Sequence, residues 1–125
     1  MLPLDVKLPD GRSLAARAWQ TENTFERAQG WLKRSSVEAG EGLIICPCNS
    51  IHTFGLGFAI DAVFLDRHGK VLSLKPQVRP GRLAWGPWHG VFLPWTVQVL
   101  ELPAGTLAGS GLAVGDTLLL NSREL

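Results

Sequence analysis

The chain has 125 residues and a mass of 13.6 kDa, which suits one domain over residues 1–125 with one hydrophobic core. Apolar residues make up 46% and charged residues 18%, so it can bury that core and is not a disordered tail. Twelve basic and eleven acidic residues leave a formal charge of +1, which excludes a generally basic nucleic-acid binder, though not a local basic patch.

The first residues, Met1-Leu2-Pro3-Leu4-Asp5-Val6-Lys7, lack a basic stretch followed by an apolar one, and no run approaches the ~18–20 apolar residues that span a bilayer. A cytoplasmic location and no membrane partner are expected. Val6-Lys7-Leu8 and Leu14 to Trp19 flank Pro9-Asp10-Gly11-Arg12, a hairpin turn in which glycine takes positive φ at no steric cost. A helix is predicted from Asn23 to Arg34. Asn23 and Glu26 have capping-box spacing, Phe25, Ala28 and Leu32 recur on one face toward the core, and Trp31 lies at its edge. Gly30 falls inside this helix, at a cost of ~1 kcal/mol relative to Ala.

Leu43-Ile44-Ile45 reads as a buried strand and Pro47 to Gly57 as a loop. Ile60 to Leu65 reads as a buried strand carrying one charge, Asp61. Lys70 to Lys75 alternates as a half-exposed strand, and Pro76 to Pro94 reads as a long ordered loop. Thr96 to Leu102 alternates again, with Glu101 facing solvent or paired with a cation. Leu107 to Leu112 suits one helical turn, and Gly115-Asp116 turns into a last strand, Thr117 to Leu120. About seven short strands and one early helix predict a mainly β fold: a small closed barrel or a jelly-roll-like sandwich.

Three segments resemble a known family. Glu26-Arg27-Ala28-Gln29-Gly30-Trp31-Leu32-Lys33-Arg34 is similar to the helix motif of the domain of unknown function 192 family. Ile51 to Asp66 resembles its central block, and Leu100-Glu101-Leu102-Pro103-Ala104-Gly105 with Gly111-Leu112 and Gly115-Asp116 resembles its closing motif. Trp31-Leu32 stands where the family has Leu-Met, and Leu56 where it usually has Met. The resemblance implies a mainly β, barrel-like or jelly-roll-type fold with one helix, and it implies no activity.

The chemistry-bearing residues form two groups. Cys46, Cys48, His52 and Asp61 have the side-chain types of a tetrahedral zinc site or of a thiol nucleophile with a histidine base. A single proline between the cysteines is a poor spacing for two ligands, and small buried thiols at a strand end are the plainer reading. Asp61 suits either a pocket mouth beside His52 and Thr53, or a structural role accepting bonds from the amides of the preceding loop. The second group is electrostatic. Residues 67–100 carry Arg67, Lys70, Lys75, Arg79 and Arg82 and no acid, and Trp85, Trp88, His89, Phe92 and Trp95 lie within or just after them. Cations beside aromatics suit an anionic ligand, a glycan or a protein segment, while the plainer reading buries the tryptophans.

No phosphate-cradling glycine motif, dinucleotide fingerprint or nucleic-acid-binding signature is present. No cofactor and no nucleic-acid partner are expected. The reading is a small binding or accessory module whose ligand residues are His52, Thr53, Asp61, Arg79, Arg82, Trp85 and Trp88. The alternative is a Cys/His-dependent enzyme or metal protein using Cys46, Cys48, His52 and Asp61.

Overall fold

The computed structural model describes residues 1–87 and 96–125. Trp88, His89, Phe92 and Trp95 lie outside the described residues. In chain order the elements are β1 (Leu2–Lys7), β2 (Ser13–Gln20), α1 (Thr24–Gln29), β3 (Glu41–Ile45), β4 (Ser50–His52), β5 (Ile60–Leu65), β6 (Val71–Val78), β7 (Leu83–Trp85), β8 (Gln98–Pro103) and β9 (Leu119–Ser122). Seven strands form one mixed sheet in the order β6-β5-β8-β3-β2-β1-β9, with β2 and β3 parallel and the other pairs antiparallel. β4 and β7 form a separate two-stranded sheet.

The expected closed barrel is not formed. β6 and β9 are the two ends of an open sheet, joined by no ladder. The segment before β9 meets the start of β6 through a single bridge, Lys70 to Thr117, flanked by bonds such as Val71 N to Asp116 O at 2.7 Å. The chain then leaves β6 and pairs with β1 instead. The fold is mainly β with one early helix, and sandwich-like.

The central strands explain the layering. β3, β5 and β8 are short apolar runs buried on both faces, so their alternate side chains feed two cores. Ile44, Val63, Leu65, Leu100 and Leu102 point into one, which β1 and β2 close with Leu4, Val6, Leu14, Ala15 and Ala18. Leu43, Ile45, Ile60, Ala62, Phe64 and Val99 point into the other, which Trp31, Ile51 and Leu56 cover.

The first hairpin forms as expected, with Gly11 at φ 94° and Asp10 accepting from the Arg12 amide at 2.9 Å. The helix differs. Asn23 caps it, accepting from the Glu26 amide at 2.8 Å, but it ends at Gly30, whose φ of 48° stops the helical path. Phe25 is 70% exposed and no residue of α1 is buried; the turn after Gly30 drives Trp31 into the second core instead. Residues 104–110 form turns rather than a helical turn, and the last strand starts two residues later than expected. The small β4–β7 sheet occupies segments read as loops.

Candidate functional site

The small sheet shows how loop sequence builds a surface. Its register pairs Ser50 with Trp85, Ile51 with Ala84, and His52 with Leu83. Opposed residues of an antiparallel pair share a face. Ile51 and Ala84 turn inward onto the second core. Ser50, His52, Leu83 and Trp85 occupy the outer face, where Leu83 is 60% and Trp85 61% exposed. His52 stacks on the exposed ring of Phe54, centroids 5.7 Å apart.

β6 and β7 are joined by the four residues Arg79-Pro80-Gly81-Arg82, yet they do not pair with each other. Two devices hold them apart. Buried Thr53 ties the turn to β4: its hydroxyl donates to Arg79 O at 2.6 Å and accepts from the Arg82 amide at 2.9 Å, while Gly81 donates to its carbonyl. Asp61 acts on β6. The β5–β6 register jumps between Ile60–Val78 and Ala62–Lys75, so Pro76 and Gln77 face the single residue Asp61 in a β-bulge. The Asp61 carboxylate accepts from the Gln77 amide at 2.9 Å, where φ is 55°, and from the Leu107 amide at 2.8 Å.

Between the splayed strands lies a groove of about 560 Å³, whose lining includes Lys75, Gln77, Arg79, Arg82, Leu83 and Trp85. Three cations and no acid face it. None of the three takes part in an ion pair among the described residues.

The structure separates the thiol, imidazole and carboxylate group. Asp61 lies on the face of β5 opposite Ile60, Ala62 and Phe64, and its carboxylate is spent on two backbone amides, neither in the preceding loop. Cys46 packs against the first core and Cys48 against the second. Both thiols are free, and burial raises both above the ordinary thiol range, away from an activated thiolate. Among the described residues no three His, Cys, Asp or Glu side chains are placed to hold a metal ion. The Cys/His enzyme or metal site therefore has no assembled cluster behind it. Of the expected ligand residues, Arg79, Arg82 and Trp85 meet at the groove. Thr53 and Asp61 shape it from behind, and His52 opens toward a smaller pocket.

That pocket holds a residue the sequence reading missed. Glu101 on β8 is only 4% exposed, between Leu43 of β3 and Ala62 of β5. Loss of water raises its carboxyl to about 7. Alternation along 96–102 suggested a solvent-facing position. The available signal was its parity with Val99 on a strand whose other neighbours are apolar.

No curated protein matches the chain. Two solved structures share its fold. One is a protein of unknown function from Novosphingobium aromaticivorans DSM 12444, with 23% identity and a TM-score of 0.73 over 94% of this chain and 83% of that one. The other is a candidate transcription regulator from Sinorhizobium meliloti 1021, with 18% identity and a TM-score of 0.76 over 95% and 92%. At these identities they carry the fold alone. No helix among the described residues is long and apolar enough to cross a membrane. The family model of DUF192, described as an uncharacterized ACR, matches residues 6–120, and the chain belongs to that family.

Proposed function

We propose that this chain is a binding module whose ligand is anionic and sits in the groove between β6 and β7. One observation carries the reading: Lys75, Arg79 and Arg82 converge on a groove that has no acid in its lining and an exposed Trp85 at its side. Guanidinium groups recognise carboxylate, sulfate or phosphate oxygens in a planar fork, and an indole face takes a sugar or aromatic ring. Thr53 and Asp61 serve by holding the turn and the bulge that keep the groove open.

Titration calorimetry with inorganic phosphate and with a sulfated disaccharide tests this. The disaccharide, which offers both anion and ring, should bind more tightly than phosphate. The double variant Arg79→Ala/Arg82→Ala should lose at least tenfold in affinity while melting at the wild-type temperature. Unchanged affinity in that variant would refute the assignment.

A further inference from the structure

A second pocket lies beside β4 of the small sheet, between that strand and the turn after α1. Its volume is about 90 Å³, and its lining includes Trp31, Ile45, Ile51 and Leu56 together with Cys48 and Glu101. Glu101 is the puzzling member. A carboxyl this buried normally has a donor beside it, because an unpaired buried charge costs several kcal/mol. Burial raises its carboxyl, and no donor among the described residues bonds it. The Cys48 thiol in the same pocket is no substitute, since it donates to Ser50 O at 2.7 Å. Arg27 lines the pocket from α1, and the side-chain bond its guanidinium makes among the described residues goes to Thr24 Oγ1 at 3.0 Å, not to Glu101.

We infer that this pocket receives the end of an alkyl chain carrying an ammonium or guanidinium group, with Glu101 as its counter-ion. The apolar walls take the methylenes, and Trp31 adds an aromatic surface favourable to a cation. Pairing then supplies what the described residues do not, a donor for the buried carboxylate. The volume suits a side-chain end rather than a nucleotide. The same chemistry is offered by a free amine and by a lysine side chain of another protein. This site is distinct from the groove: its floor is β8, its rim is α1 and β4, and no residue lines both, although β4 pairs with β7 of the groove wall.

The titratable and charged groups facing Glu101 define the controls. α1 contributes Arg27, the β3–β4 connection Cys48 and β4 His52, while flanking Leu43 and Ala62 contribute none. Butylammonium, butanoate and the peptide acetyl-Gly-Lys-Gly-amide are titrated into labelled protein and followed by amide and indole shifts in nuclear magnetic resonance spectra. Butylammonium should shift Trp31 and β8 signals, with affinity rising about tenfold per pH unit below pH 7 and levelling above it, because the cation selects the ionised carboxylate. Glu101→Gln, whose spectral dispersion reports its folding, should lose at least tenfold in affinity. His52→Gln should keep the pH profile, and Arg79→Ala/Arg82→Ala should bind as wild type. Tighter binding of the peptide than of butylammonium would point to a protein partner, and the reverse to a free amine. Equal binding of butanoate, or an affinity unchanged in Glu101→Gln, would overturn the assignment.

Discussion

Glu101 and Asp61 are both acids on apolar, central strands, and they solve burial in opposite ways. Asp61 accepts two backbone amides, from Gln77 and Leu107, so its oxygens are spent inside the protein. Removing them by Asp61→Ala leaves two amides without an acceptor at a site only 1% exposed, which should destabilise the fold by about 3 kcal/mol or more. Asp61→Asn keeps one acceptor and should cost less. Chemical denaturation of the two variants checks the order. Glu101 has no such partners among the described residues, and its carboxyl is raised to about 7 from an ordinary value of 4.5. The folded protein then binds more protons than the unfolded chain between those pH values. Stability is greatest below pH ~4.5 on this account, falls as pH rises toward about 7, and is level above. The linked change is about 3 kcal/mol. Glu101→Gln should abolish this slope and be more stable than wild type at pH 8 by a similar amount, measured by urea denaturation across pH 4.5–8.

Elements show which parts of the fold could be read in advance. The first hairpin was legible because Pro-Asp-Gly specifies a turn by local chemistry alone. β3 and β5 were legible because their runs of Leu, Ile, Val and Phe suit a strand buried on both faces. The helix was legible at its start, where Asn23 caps, and not at its end. Period alone places Phe25, Ala28 and Leu32 inward, but Gly30 halts the helix before that stripe can form. The small sheet was hidden because β4 and β7 have three residues each and pair across thirty residues of chain, so no local pattern records them. The groove residues Arg79, Arg82 and Trp85 stood out through charge and composition. Glu101 did not, since alternation cannot distinguish a half-exposed strand from a central one. Close packing at this scale is testable at Gly42 of β3. A Cβ there would lie 2.9 Å from Ala15 Cβ and 3.4 Å from Ala18 Cβ and Leu100 Cδ1. These neighbours are short or buried and have little room to retreat. Gly42→Ala should cost about 1–3 kcal/mol, read from the denaturation midpoint.

At the scale of the whole molecule, a nearly neutral chain concentrates its excess positive charge in one stretch of sequence. The segment from 67 to 100 has five cations and no acid, while the sequence on either side carries a net negative charge. Three of those cations reach one groove, which is held open by Thr53 at the turn and by Asp61 at the bulge. Geometry and charge are therefore separable. Thr53→Val keeps every cation but removes the hydroxyl that bridges Arg79 O and the Arg82 amide. It should lower stability by about 1–3 kcal/mol and weaken binding of the sulfated disaccharide without changing how that binding depends on salt. Arg79→Ala/Arg82→Ala does the reverse: it preserves the clasp, which uses backbone atoms of both residues, and removes charge. Its residual binding should respond less steeply to ionic strength, since the Debye length falls from about 10 Å at 0.1 M to 3 Å at 1 M and fewer charges remain to be screened. Calorimetric titrations of both variants from 0.05 to about 0.5 M salt distinguish the two effects. Parallel salt slopes for wild type and the double variant would mean that the two guanidinium groups contribute no electrostatic attraction to the bound anion.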